Sequence, residues 1–204
     1  MTTETATRFL VPLLIAAFAF VDLVWPLVRL RRTEGTWGLP IFTERDPRRR
    51  AVGIAIALIL LALAVGVSRF AWGGAAAVGG VVPPAPVAAL GLALLATAVA
   101  VVAIAQYQMG GSLRLGISDE DTALVSRGLF RWVRNPIFVG MLLGVLGVAL
   151  AIPAPWSIAV WLGASAAIAY QVRLEEEHLL ARHGDAYRAY ASRVGRFLPG
   201  VGRL

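Results

Sequence analysis

Two clusters in the C-terminal half carry the side chains with the greatest capacity for chemistry. The first is Arg131-Trp132-Val133-Arg134-Asn135-Pro136-Ile137-Phe138-Val139-Gly140. Pro136 suits the first turn of a helix, where its missing N–H would have no partner anyway, and Asn135 before it is a natural N-cap. Gly140 lets another backbone or a ligand approach closely. Arg131 and Arg134 stand at the helix entrance, where an anionic group is also favoured. The second cluster, Arg173-Leu174-Glu175-Glu176-Glu177-His178-Leu179, follows directly on an apolar run. Three successive carboxylates radiate to different faces of a helix, so at least one is expected to turn inward. An acid facing protein at the end of a membrane helix is a functional candidate. Spacing alone is equally compatible with a capped helix start and a solvated charged turn.

Several chemistries are excluded. Glu175-x-x-His178 is half of a di-iron pattern, but that site needs the motif twice with further glutamates on other helices, so no metal is expected. His178 and His183 read as surface residues. The chain has no cysteine, which removes disulfides, thiolate metal sites and a cysteine nucleophile. No Gly-x-Ser-x-Gly elbow, phosphate loop or dinucleotide fingerprint occurs. The net charge of +7 is carried by arginine alone. It reads as the orienting charge of a membrane protein rather than as a nucleic-acid surface.

The elements that must position these clusters are transmembrane helices. Apolar residues make up 58% of the 204 residues and charged ones 15%, against roughly 25% charged in soluble proteins. A water-facing surface cannot be built from so few charges. Five segments are long enough, or nearly so, to cross a bilayer core of about 30 Å: 9–28, 51–67, 85–107, 136–152 and 156–172. The last two, parted only by Pro153-Ala154-Pro155, predict a tight helical hairpin. The chain thus reads as all-α, a single polytopic membrane domain over 1–204 with a cofactor-binding region over 106–199. The near-neutral start (Glu4, Arg8) lacks the basic region of a cleavable signal, so the first run is taken as a retained span. Arginines cluster after span one (Arg29 to Arg50), after span three (Arg114 to Arg134) and after span five (Arg173 to Arg203), leaving Arg8 and Arg69 on the other side. By the positive-inside rule the N-terminus is outside and the C-terminus cytoplasmic, in a bacterial or archaeal-type cell membrane. Val172–Val194 reads as an amphipathic helix at the cytoplasmic edge, broken or kinked at Gly184. Gly73–Pro86 reads as an external connection. Asp22, inside span one, could pair with an arginine or line a cavity.

The order Leu124-Val125-x-x-Gly128-x-Phe130, Arg134-Asn135-Pro136-x-Phe138-x-Gly140, then Glu175-Glu176-x-x-Leu179, Gly184, Tyr187 and Tyr190 resembles the isoprenylcysteine carboxyl methyltransferase family, which groups with the membrane phospholipid methyltransferases. The resemblance covers about 106–199. It implies methyl transfer from S-adenosylmethionine, bound at the cytoplasmic edge, to a lipophilic acceptor that arrives from the bilayer, such as a prenylcysteine-type carboxylate. Carried over by position, Thr122, Ala123, Leu124, Val125 and Phe130 line the adenosine side. Asn135, Pro136, Ile137 and Phe138 form the pocket wall beside Arg134. Glu175, with Glu176 next to it, holds the methionine end. Arg173 faces an anionic acceptor group or the cofactor carboxylate, and Arg173 and Glu175 are the catalytic candidates. Phe130, Phe138 and Tyr187 offer aromatic faces to a sulfonium.

Three departures stand out. Asn135 replaces a family histidine, Phe130 and Phe138 replace tyrosines, and Gln171 stands where eukaryotic members carry arginine. The resemblance therefore argues for the cofactor class more strongly than for a prenylcysteine carboxylate. Membrane steroid and sterol reductases, which bind NADPH, share an aromatic-rich helix start and an Asn-Pro pair. Arg193 and Arg196 are a thin version of the basic cluster a 2′-phosphate needs. A non-catalytic membrane protein of the same fold is the third reading, resting on Asn135 and Gln171.

Overall fold

The computed structural model describes residues 2–35, 46–110 and 124–204. Helix α1 (Thr3–Ala19) runs through a π turn (Phe20–Val24) into α2 (Trp25–Glu34). Then come α3 (Pro47–Gly73), a 3-10 turn (Ala76–Val78), α4 (Ala85–Met109), a second 3-10 turn (Gly128–Arg131), α5 (Pro136–Ala151) and α6 (Pro155–Ala191). All regular elements among the described residues are helical, as the composition required. Among the described residues, four helical stretches are long and apolar enough to cross a membrane: Thr3–Arg32, Pro47–Gly73, Ala85–Met109 and Pro155–Ala191. The fifth, α5, is shorter and apolar. Phe9, Leu13, Leu58, Leu61, Leu90 and Leu162 stay exposed along these helices, the surface that lipid must cover.

The helices overshoot the apolar runs by several residues, because polar ends continue the same backbone hydrogen bonding. The fifth span and the amphipathic stretch are one helix, α6, interrupted at Gly184 (φ 51°, ψ −123°). The π turn has a local cause. Pro26 lacks an N–H, and its ring would clash with a carbonyl one turn back, so the chain widens just before it and the Trp25 N–H bonds to the Phe20 oxygen. Asp22 lies in this turn, and among the described residues no arginine pairs with it.

Close approach of small residues joins α4 to α5. A Cβ on Gly91 would lie 2.7 Å from both the Ala151 nitrogen and the Gly147 oxygen. One on Gly147 would meet the Gly91 oxygen at 2.7 Å, and one on Gly140 would meet Val102 Cγ2 at 2.5 Å. Gly144 faces Ala98. The two helices are therefore antiparallel in a fixed register, with backbones in contact as small-residue membrane seams allow. The expected hairpin exists: α5 ends at Ala151, Ser157 Oγ donates to the Ile152 oxygen at 2.6 Å, and α6 starts at Pro155. Trp156 then lies flat over Gly66 of α3.

These contacts sort the helix ends. At one end Arg8 donates to the Ala71 and Trp72 oxygens at 3.1 and 2.6 Å, capping α3. Glu4 there accepts the Ala75 N–H, and the Val81 N–H reaches the Pro153 oxygen at the hairpin turn. The opposite end gathers the start of α3, the end of α4, the start of α5 and the polar half of α6. Arg48 and Glu177 approach to 3.9 Å there.

Candidate active site

At this second end, α5 begins against the far half of α6 and the C-terminal tail. Pro136 occupies the first turn of α5 and is fully buried. Asn135 holds the N-cap position but does not cap: its side chain makes no cap hydrogen bond. The Nδ2 amide donates instead to Glu176 Oε1 at 3.3 Å and to the Arg196 oxygen at 3.2 Å. These two bonds fix the side chain in an orientation in which its oxygen receives no helix amide.

Glu176 is the hub. Its Oε1 accepts from Arg134 Nε at 3.0 Å and lies 2.9 Å from Arg134 Nη2, while its Oε2 accepts from Arg196 Nη2 and Nε at 2.7 and 3.0 Å. The Arg134 side chain is 1% exposed and that of Glu176 6%. Arg134 spends its other donors on main-chain oxygens of the tail: Ala191 at 3.0 Å, Val194 at 2.5 Å and Gly202 at 3.0 Å. The Arg134 N–H also reaches the Gly195 oxygen at 2.8 Å. Gly195 must be glycine, because a Cβ would run into the Leu198 carbonyl. One buried arginine thus ties α5, α6 and the tail together.

Glu175 is different. It is partly buried, three residues past the apolar stretch that ends at Val172, and among the described residues it accepts no hydrogen bond and pairs with no cation. Burial, with the Glu176 charge adding, pushes its carboxyl up from 4.5 to about 7. A carboxylate beside a neutralised neighbour, itself without a partner, is poised to take a cation.

The aromatic side of the corner is also built. Tyr187 and Tyr190 are buried with Ala191 and Val194, and Leu124, Leu179 and Leu180 pack on them. The Tyr190 hydroxyl donates to the Phe130 oxygen at 2.6 Å, and burial holds its pKa up at about 12, so it stays a donor. Gln108 Oε1 accepts the Leu129 N–H at 2.7 Å, fixing the turn that carries Phe130 to the end of α4. Gln106, on the same helix, is 5% exposed, and its Oε1 is buried with no donor among the described residues. Such an unpaired amide oxygen costs about 1–3 kcal/mol.

The structure therefore brings Arg134, Asn135, Pro136 and Glu176 together, with Phe130, Leu124 and Tyr187 around them. Ile137 and Phe138 are partly buried on the first turn of α5, and Val125 is partly buried. Arg173 is exposed. Thr122 and Ala123 lie outside the described residues. Sequence reasoning read Arg196 only as part of a thin basic cluster for a 2′-phosphate, and gave no role to Gln106 or the tail carbonyls. Gln106 left a signal, as a glutamine in the last turn of an otherwise apolar helix. No group of metal-binding side chains occurs among the described residues.

The family model of the phospholipid methyltransferases matches residues 86–186, from the start of α4 to beyond the kink in α6. Among solved structures, that of the eukaryotic intramembrane Ras methyltransferase, isoprenylcysteine carboxyl methyltransferase, is similar in fold. The TM-score is 0.57 at 17% identity, over 93% of this chain and 67% of that one. No curated protein sequence matches the chain. Fold and matched segment define the class, a polytopic helical membrane protein that carries a phospholipid methyltransferase segment. Within it, residues 86–186 are similar to the phospholipid methyltransferase family, and the fold is similar to that of isoprenylcysteine carboxyl methyltransferase.

Proposed function

We propose that the protein is an integral-membrane methyltransferase that uses S-adenosylmethionine to methylate a lipophilic acceptor at its arginine-rich, cytoplasmic face. The observation that carries this is the partly buried Glu175 carboxylate, without a partner among the described residues and adjacent in the chain to the Glu176 hub inside the matched segment. A group with a free ammonium fits it, and Glu176, already spent on two guanidiniums, cannot serve in its place.

The donor supplies a methyl on a sulfonium, reactive by in-line displacement. The chain supplies alignment and dryness. Glu175 holds the ammonium. Leu124, Val125, Phe130, Ile137, Phe138 and Tyr187 exclude water and offer aromatic faces to positive charge. Arg134, Asn135, Glu176 and Arg196 keep α5, α6 and the tail at fixed spacing. No general base is assigned, because an ionised carboxylate acceptor needs none. A helix of 16 residues spans about 24 Å, short of a bilayer core of about 30 Å. The corner at the start of α5 thus lies within reach of an acceptor that never leaves the membrane. Arg173, exposed on α6, is available to an anionic acceptor group.

Calorimetry in detergent tests the reading. Saturable binding of S-adenosylhomocysteine with none of NADPH supports it, and the reverse overturns it. Incubation with methyl-labelled donor and lipid extract should then move label into an extractable lipid, whose identity names the acceptor.

A further inference from the structure

Gln106 closes α4 at the arginine-rich end, and nothing in the mechanism above uses it. Its carboxamide oxygen is buried and receives no hydrogen bond, and the residue as a whole is 5% exposed. Buried polar groups in native proteins are nearly always paired, and those in membrane helices most strictly, so an unpaired one marks a place where a partner arrives.

The register of the α4–α5 seam says where that place is. Gly91 lies against Ala151 and Gly147, Ala98 against Gly144, and Val102 against Gly140. One further turn along each helix pairs Gln106 with Pro136. Residues four apart share a helix face, and both Val102 and Gln106 are buried. The glutamine therefore stands level with the Asn135–Pro136 corner. Gln108, two residues farther on and so on nearly the opposite face, holds the Leu129 amide instead.

We propose that Gln106 recognises the adenine ring of the methyl donor, its carboxamide oxygen accepting from the exocyclic 6-amino group. This rests on the methyltransferase reading and extends it to the nucleobase. A primary carboxamide presents an acceptor beside a donor, the complement of an aminopurine edge with its amine and adjacent ring nitrogen. The donor's other charged ends are matched elsewhere. The ammonium suits the carboxylate of Glu175, and a sulfonium has no hydrogen to give.

The test compares S-adenosylhomocysteine with its 6-oxo analogue, in which hypoxanthine replaces adenine, by calorimetry on detergent-solubilised full-length protein. The wild type should prefer the amino compound by about tenfold or more. Gln106→Leu should bind both compounds alike, with affinity for S-adenosylhomocysteine down about tenfold. Its ligand-free thermal midpoint should match or exceed that of the wild type, because an unpaired amide has been removed. Gln106→Met, closer in shape, should behave the same and covers a folding failure of the leucine variant. Wild-type affinity in these variants, or an undiminished preference for the amino compound, overturns the inference while leaving the methyltransferase reading intact. A wild type that binds neither compound overturns both.

Discussion

Glu175 and Glu176 are neighbours in the chain with opposite situations. Glu176 neutralises two guanidiniums and accepts an amide as well. Removing it as Glu176→Ala strands Arg134, whose side chain is 1% exposed. The expected loss is about 3–5 kcal/mol of stability, visible as a lowered midpoint in detergent unfolding even without ligand. Glu175→Gln should leave the fold in place. It should also remove a pH dependence. The Glu175 carboxyl sits up at about 7 in the folded protein against 4.5 ordinarily. Its favourable contribution is complete below 4.5 and is lost as pH rises through 7, so the wild type should lose stability across that window relative to Glu175→Gln. Three adjacent acids were legible in the sequence as a group of which at least one turns inward. Which one does so depends on arginines 42 and 20 residues away, and no local pattern encodes that distance.

At the scale of the helices, the α4–α5 seam positions Pro136 and everything after it. Gly147→Leu would force a side chain into the Gly91 oxygen and Leu95. It should cost at least the 1–3 kcal/mol typical of overpacking, and weaken ligand binding by shifting the start of α5 although it touches no ligand. Gly184, at φ 51°, should resist substitution, with Gly184→Ala costing about 1–2 kcal/mol and loosening the docking of Tyr187 and Tyr190. Much of this level was readable. Pro136 opens its helix, Pro153-Ala154-Pro155 makes the hairpin, and Gly184 interrupts the polar stretch, because proline and glycine act on their own backbone. The Asn135 cap was misread, since a distant carboxylate and the Arg196 main chain orient its side chain through Nδ2. The π turn before Pro26 left no mark in the apolar pattern around it.

Across the whole molecule, the arginine asymmetry corresponds to a physical division of ends. Arg8 caps α3 at one, and the Arg134 knot closes the other. The helix class followed from composition because lipid imposes it on any chain this apolar; of the five expected spans, four are long enough to cross and the fifth is a shorter apolar helix. The role of the tail was hidden, because Val194, Gly195 and Gly202 act through main-chain oxygens, which every residue type has. A chain ending at residue 193 should lose those acceptors for Arg134, unfold at lower temperature and bind no S-adenosylhomocysteine. The central claim, that Glu175 receives the ammonium of a methyl donor, is tested most directly by proton release. Titrate the wild type and Glu175→Gln with S-adenosylhomocysteine at pH 6.5, in two buffers of different ionisation enthalpy. At that pH a carboxyl titrating near 7 is largely protonated and must ionise to hold a cation. The wild type should therefore bind with release of a substantial fraction of a proton and tighten as pH is raised through 7, and the variant should bind at least tenfold more weakly with no release. Equal affinity and equal release in the two proteins would contradict the account.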